Sequence, residues 1–214
     1  VRIVNPVDRD SWGWNVYYNI SQEDTDDEIL RHLDTICQSL IPPPADEKNA
    51  FFYNSARDIL KAALLYYYRC GRGFIDSLNA IMSASIADTI QAILTDTIHC
   101  PKTSKTYMLL KRFDAKDSDA MQDIELTLFE KLSIFSLDSI RYFLRDNPNK
   151  VSPRDLANGM TSIYLVLEES RLDELSDLVR LLTTQIIKSF ETRSEDSPVT
   201  MLISTMRPVL SVTA

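Results

Sequence analysis

The side chains best suited to binding chemistry lie in a basic segment between residues 102 and 116. Lysine and arginine neutralise phosphate groups, and aromatic rings among them can stack on unpaired bases. This segment is therefore the candidate surface for contact with single-stranded nucleic acid or a protein partner; the competing interpretation, an ordinary solvated helix face or loop, stays open. The candidate contact residues are Lys102, Lys105, Tyr107, Lys111, Arg112 and Lys116.

Arg72 is a further candidate because it lies between Gly71 and Gly73, where an arginine could reach a phosphate. The same pattern is typical of a helix that ends in a glycine cap, and we expect Gly71 to have that role. Arg72 is therefore either a phosphate-contact residue or simply a residue of the turn that follows a capped helix.

Catalytic groups are scarce in the sequence. His99 and Cys100 are neighbours, and adjacent side chains rarely face each other, so we expect a packed or loop pair rather than a base and a nucleophile. The acidic residues between Asp24 and Glu28 lack the spacing of a calcium loop and are interpreted as a helix start. The phosphate-binding pattern Gly-x-x-x-x-Gly-Lys-Ser/Thr does not occur. We predict no catalytic, cofactor or metal site in this chain.

The overall composition restricts the kind of partner. The 214 residues carry a net charge of -8, with 44% hydrophobic and 25% charged side chains. Proteins that coat duplex DNA usually have a basic excess, which this chain lacks. Any nucleic-acid contact must therefore be local. Cys37, Cys70 and Cys100 are widely spaced, which is typical of reduced thiols in the cytosol. No apolar run is long enough to span a bilayer.

The elements that must position these groups are mostly helices. Thr25 begins a capping box followed by apolar residues at helical spacing, and three prolines after Ile41 end that helix. A turn of helix is expected at Ser152 and Pro153. The other predicted helices cover residues 47–69, 74–83, 86–95, 119–134, 137–145 and 175–190.

Strand-like runs lie on both sides of this helical block. Residues 1–6 alternate in polarity, residues 161–167 have the β-branched, apolar character of a buried strand, and residues 8–15 are predicted as a loop. Two more strands are predicted at 199–203 and 208–212. The order indicates a mainly α chain in which an all-helical domain, residues 16–147, is inserted into an α/β domain with a parallel sheet. Residues 1–15 and 148–214 are then the two pieces of that α/β domain.

Several segments resemble one protein family. Residues 4–15 read Val-Asn-Pro-Val-Asp-Arg-Asp-Ser-Trp-Gly-Trp-Asn. They are similar to a segment of type IV secretion coupling proteins, the TraG/TraD class of conjugation ATPases, which reads Asn-Pro-Phe-Asp-x-x-Ser-x-x-Trp/Tyr-Asn-Pro. Residues 51–60 resemble the family's Phe-Trp-x-x-Ala-Ala-Arg-x-Leu-Leu helix. Residues 161–167 resemble the strand that re-enters the nucleotide-binding domain. The segments occur in the family's order.

This resemblance implies a fold and a set of partners. The fold would be an all-helical domain inserted in a partial RecA-like nucleotide-binding domain, on the cytoplasmic face of a bacterial inner membrane. The parent protein would be a membrane-anchored homo-hexamer that uses ATP and Mg²⁺ to drive DNA transfer. The implied partners are a relaxase or relaxosome accessory protein, single-stranded DNA and the type IV secretion channel.

The chain also departs from the family pattern. The membrane anchor and phosphate loop would precede Val1, and we expect a fragment of a longer protein. The family's acidic pair does not follow residues 199–203; Ser-Thr-Met-Arg follows instead and resembles a later family segment. We therefore expect missing residues between Ile203 and Ser204, and a smaller gap between Arg207 and Pro208. A fragment without these motifs should not hydrolyse ATP.

Two other interpretations stay open at this point. One is a domain of another RecA-like motor that translocates or packages DNA. The other is a free-standing helical adaptor for protein partners, which predicts that residues 1–6 and 161–212 do not share a sheet.

Overall fold

A computed structural model describes residues 1–114, 118–157 and 161–191, with only the backbone described for Glu47, Ser118 and Ala157. The strands are β1 (Arg2–Val4), β2 (Gly13–Trp14), β3 (Lys150–Val151) and β4 (Ile163–Leu165). The α-helices are α1 (Asp26–Leu40), α2 (Ala50–Arg69), α3 (Phe74–Met82), α4 (Ile86–Thr95), α5 (Lys105–Lys111), α6 (Ser118–Leu132), α7 (Asp138–Arg141), α8 (Pro153–Ala157) and α9 (Ser176–Glu191). Short 3-10 turns occur at Glu47–Asn49, Ser133–Ser136 and Glu169–Arg171, and a π-helical turn at Tyr142–Asp146. The strands predicted at 199–203 and 208–212 lie outside the described residues, as do the two predicted gaps at 203/204 and 207/208.

Helix α1 begins at the predicted capping box. The Thr25 hydroxyl accepts a hydrogen bond from the Glu28 amide, and the Glu28 carboxylate accepts one from the Thr25 amide at 2.8 Å. The Glu28 amide also donates to the Thr25 carbonyl at 3.1 Å, so the capping box adds a side-chain acceptor for this amide and one for the Thr25 amide. One face of the helix, including Leu33 and Leu40, is buried, and the chain leaves the helix just before the three prolines.

Helix α2 is the central element of the helical block. Its buried positions include Ala56, Leu60 and Leu64, and they occur around most of its circumference. A helix that is apolar nearly all round must be surrounded by other elements. Helices α1, α3, α5 and α6 pack against it, so α2 organises the core of the domain.

One predicted helix is divided in the structure, and one helix was not predicted. The segment predicted as one helix at 137–145 is a single turn of α7 followed by the π-helical turn that ends at Asp146. Helix α5, which carries part of the basic segment, was not predicted because its seven residues are too few for a clear apolar period.

The strands form two parallel pairs. Strand β1 pairs with β4, placing Ile3 opposite Tyr164, and β2 pairs with β3, placing Trp14 opposite Val151. Parallel neighbours need a crossover connection, and here α1 to α7 together connect β2 to β3. The predicted mainly α fold with a small parallel sheet is confirmed.

One strand prediction and one loop prediction were wrong in part. The 161–167 run was predicted as a buried strand, but Tyr164 is exposed and its neighbours Ile163 and Leu165 are half-buried. Among the described residues β4 has one strand neighbour, β1, which leaves one edge and much of one face uncovered. Residues 8–15 were predicted as a loop, but Gly13 and Trp14 form β2.

The two ends of the helical block are held together closely at β2. A Cβ atom on Gly13 would lie 2.5 Å from the Phe143 carbonyl oxygen, so this position requires glycine. Next to it, the Asn147 side-chain amide donates a hydrogen bond to the Ser11 carbonyl at 2.8 Å. The chain therefore enters and leaves the helical block through one tightly packed neck.

Helix α9 packs against α1 on the side of the neck. The Arg180 guanidinium donates to the Ser39 carbonyl at 2.6 Å, near the C-terminal end of α1. In the described part of the chain, no helix has the length and apolarity needed to cross a membrane.

Candidate nucleic-acid or partner interface

Helix α5 begins at a serine cap and buries one side against the core. The Ser104 hydroxyl caps its first turn by accepting a hydrogen bond from the Tyr107 amide at 3.1 Å. Thr106 and Leu110, one turn apart, are buried toward α2. The opposite side of the helix is therefore presented outward.

Four residues form the outward surface, which we call the α5 face: Lys105, Met108, Lys111 and Arg112. Met108 is 60% exposed and has a lysine three residues before it and another three residues after it. Tyr107 is half-buried and packs against the core, so its ring is not free to swing outward as a whole. The α5 face thus combines three cations with one exposed apolar side chain.

The cations of the α5 face are paired with carboxylates from distant parts of the chain. Lys105 Nζ lies 3.1 Å from Asp27 Oδ1, at the start of α1. Arg112 Nη2 is hydrogen-bonded to Asp58 Oδ2 on α2. These contacts link the two ends of the α5 face to α1 and α2.

The third cation has a local partner. Lys111 Nζ bonds to Asp114 Oδ2, and this hydrogen bond raises the pKa of Lys111 and lowers that of Asp114. The side chains of Lys105, Lys111 and Arg112 remain 48%, 54% and 51% exposed. Exposed ion pairs of this kind contribute only about 0–1 kcal/mol each. The carboxylates therefore neutralise these cations but hold them only weakly.

Asp58 is shared with a second cation. Lys61 Nζ lies 3.6 Å from Asp58 Oδ1 and 2.8 Å from Asp34 Oδ1. Burial lowers the pKa of Lys61, but its hydrogen bond to Asp34 and the two negative charges outweigh that effect and raise it overall. A continuous row of alternating charges thus crosses α1, α2 and the end of α5.

The loop before α5 is held by Asp96. Its carboxylate accepts hydrogen bonds from the Tyr66 hydroxyl at 2.7 Å, from His99 Nδ1 at 2.9 Å, and from the Ile98 and His99 amides at 3.0 and 3.1 Å. The Tyr66 bond first, and then those of His99, keep the pKa of Asp96 well below its ordinary value. This arrangement fixes the loop that leads into α5.

His99 and Cys100 do not form a catalytic pair. The His99 ring bonds to Asp96, whereas Cys100 Sγ is buried and lies 3.5 Å from Ser104 Oγ. Burial raises the pKa of Cys100, which opposes formation of a nucleophilic thiolate. Within the described residues, no group of three or more histidine, cysteine or acidic side chains could hold a metal ion.

The remaining predicted contact residues are placed separately. Arg72 lies just after α2, where Gly71 adopts a φ of +79° as expected for a cap, and its guanidinium stacks 4.9 Å from the Tyr67 ring centre. Lys102 is exposed in the loop before α5. Lys116 lies outside the described residues.

A mixed-charge cleft occupies a different part of the surface. Two adjoining cavities of about 430 and 310 Å³ are lined by the segment after β2 together with α1, α8 and α9. Asn19 lies between them, accepting a hydrogen bond from Arg154 at 3.1 Å and lying 3.2 Å from the His32 ring. The α5 cations do not line this cleft, so the two surfaces are separate.

Sequence reasoning missed the acidic partners of the α5 face. Asp114 is visible within the basic segment, but Asp27 and Asp58 approach α5 only through tertiary packing. The short helix itself had a usable signal in the Ser104 cap and the buried Thr106 and Leu110.

Comparison with known proteins places these features in a family. Residues 2–173 match the family described as the type IV secretion-system coupling protein DNA-binding domain. No curated protein sequence matches the chain.

Solved structures of coupling proteins share the fold. Bacterial conjugative coupling protein TrwBdeltaN70, in complex with sulphate, superposes with a TM-score of 0.63 at 13% identity, over 92% of this chain and 42% of that one. Plasmid coupling protein TrwB with the GTP analogue GDPNP gives 0.53 at 14% identity, and TrwB with ADP and Mg²⁺ gives 0.52 at 15%, each over 92% of this chain and 43% of the other. The chain therefore spans less than half the length of these proteins. The family match covers most of the chain, and the chain belongs to the type IV secretion-system coupling proteins, in their DNA-binding domain.

Proposed function

We propose that this chain is the substrate-receiving part of a conjugative coupling protein, and that its α5 face contacts single-stranded DNA as the relaxosome is delivered to the secretion channel. The observation that carries the proposal is the cluster of three half-exposed cations around Met108, in a domain whose family is described by DNA binding.

The chemistry of the α5 face suits a flexible polyanion. Lys105 and Arg112 are seven residues apart, about 10 Å along the helix, so one short stretch of backbone phosphates can reach both. Met108 between them offers an apolar surface to a base or a sugar. Lys102, three residues before Lys105 in sequence, adds a further exposed cation on the N-terminal side of α5.

The acidic surroundings argue for a local contact. With a net charge of -8, the chain as a whole repels polyanions. A relaxase or accessory protein that brings its own DNA would supply the remaining affinity. We therefore include a relaxosome protein as a partner of the same domain.

The proposal for the parent protein follows the solved relatives. TrwB structures that hold a GTP analogue, or ADP with Mg²⁺, support a parent that binds and hydrolyses nucleotide. We propose that residues 16–147 are the inserted all-α domain and that residues 1–15 and 148–214 belong to the nucleotide-binding domain. Its assembly as a hexamer at the cytoplasmic face of the inner membrane belongs to the same proposal.

The rival interpretations are weaker after comparison with the structure. A free-standing adaptor requires the two ends to lie in different sheets, but β1 pairs with β4, and the Val166 amide donates to the Val4 carbonyl at 2.9 Å. That prediction of the adaptor hypothesis was wrong for the described residues. Another kind of DNA motor is not favoured by the family match.

Site-specific cross-linking in the full-length parent tests this proposal. A photo-reactive amino acid at Met108 should cross-link to transferred DNA or to a relaxosome protein during conjugation. Leu126 on α6 is a matched control, because it is also a large apolar side chain and is 71% exposed. Equal cross-linking at both positions, or none at Met108 while transfer continues, would show that the α5 face does not receive substrate.

A further inference from the structure

Each carboxylate that pairs with the α5 face has a second stabilising interaction. Asp58 pairs with Arg112 but also lies 3.6 Å from Lys61. If Arg112 turned away, Asp58 would keep a positive partner. Departure of the arginine therefore leaves no isolated charge behind.

The other two carboxylates follow the same rule. Asp114 accepts a hydrogen bond from the Gln91 side-chain amide as well as from Lys111. Asp27 lies in the first turn of α1, where the helix dipole stabilises a negative charge even without Lys105. All three cations can thus be released at little cost to the domain.

The cations themselves are suited to exchange. Each is about half-exposed and long enough to rotate toward solvent while its aliphatic stem stays on the helix. Because exposed pairs are weak, a polyanion that offers several phosphates together can displace all three carboxylates. A ligand with a single negative charge gains too little to do so.

We propose that Asp27, Asp58 and Asp114 are built-in competitors for the α5 face, which occupy its cations until single-stranded DNA exchanges phosphates for them. This inference rests on the proposed function and adds its regulation. The resting domain binds DNA weakly, and stable binding requires a strand presented in extended form with several phosphates in reach. Such an arrangement rejects isolated small anions.

Removing the competitors should strengthen binding. The double variant Asp27→Asn/Asp58→Asn keeps similar side-chain shapes and releases Lys105 and Arg112. We expect the 214-residue chain to bind a labelled oligothymidylate of about 20 nucleotides at least about tenfold more tightly, measured by fluorescence anisotropy. Thermal unfolding of each variant verifies that the fold is retained.

Two controls separate the possible outcomes. Asp123→Asn on α6 removes one exposed negative charge, whereas the double variant removes two. If Asp123→Asn raises the logarithm of the binding constant by half as much as the double variant does, the effect comes from net charge and the inference is overturned. Lys105→Ala/Lys111→Ala/Arg112→Ala tests the proposed function itself. If this triple variant weakens binding while the double Asn variant leaves it unchanged, the α5 face binds DNA but has no built-in competitor. If neither set changes binding, both the inference and the DNA contact fail.

Discussion

The Trp14 indole N–H donates a hydrogen bond to Gln185 Oε1 at 2.7 Å, across 171 residues of sequence and inside the core. The same glutamine donates from Nε2 to the Val16 carbonyl at 2.8 Å. One buried amide therefore satisfies two groups of the segment that enters the helical block and ties them to α9. This contact makes the neck and α9 one structural unit.

Replacing Gln185 with Leu should be strongly destabilising. The Trp14 N–H and the Val16 carbonyl would both stay buried without partners, at about 1–3 kcal/mol each. We expect urea unfolding to show a loss of about 2–4 kcal/mol in the free energy of unfolding. In a double-mutant cycle with Trp14→Phe, the two losses of stability should not add, because both substitutions remove the same hydrogen bond between Trp14 and Gln185. Additive losses would show that Trp14 and Gln185 are not coupled.

Gly13→Ala should disrupt the neck. Its Cβ would meet the Phe143 carbonyl oxygen at 2.5 Å, and backbone atoms there cannot move aside without disturbing the π-helical turn. We expect a loss of about 1–3 kcal/mol in chemical denaturation. Gly73→Ala is the control, since the nearest atom, on Asp76, is 3.7 Å away. Similar losses at the two positions would contradict the tight packing at Gly13.

The Asp96 network should make stability depend on acid pH. Because its folded pKa lies below the ordinary value of 3.8, Asp96 contributes stability above that pH and loses it as the pH falls further. We expect Asp96→Asn to lower the Tm near neutral pH. Between about pH 5 and pH 2.5, the Tm of this variant should fall less steeply than that of wild type. Parallel pH profiles for the two proteins would mean that the loop is held by other contacts.

The capping box of α1 can be tested by a pair of substitutions. Thr25→Ala removes the side-chain acceptor for the Glu28 amide and should cost about 1 kcal/mol. Thr25→Ser keeps the hydroxyl and should stay within about 0.5 kcal/mol of wild type. Equal losses for Ala and Ser would indicate that the methyl group of Thr25, rather than its hydroxyl, stabilises this helix.

Local signals in the sequence predicted the parts of the fold that depend on near neighbours. The Thr25 box, the predicted helix at 86–95 and the Gly71 cap all depend on residues within a few positions of each other, and all three are present. The parallel pairing of the two ends followed from the order of strand and helix patterns, and β1 and β4 confirm it.

Elements that depend on distant contacts were not predictable from one sequence. Strands β2 and β3 have two residues each and exist because the two ends of the helical block meet. Gln185 reads as one polar position of an amphipathic helix, and only its contact with Trp14 explains its burial. The basic segment predicted the α5 cations, whereas the competing charges of Asp27 and Asp58 come from two other helices.

The salt dependence of single-stranded DNA binding tests the central claim most directly. Binding constants for wild type and for Lys105→Ala/Lys111→Ala/Arg112→Ala should be measured from about 0.05 to 0.2 M salt. A control with the same loss of charge is Lys48→Ala/Lys131→Ala/Arg171→Ala, whose positions lie on other elements. If the α5 face neutralises three phosphates, the plot of log K against log salt should be less steep by about two units for the α5 variant only. An unchanged slope for the α5 variant, or the same change in the control, would contradict a DNA contact at this face.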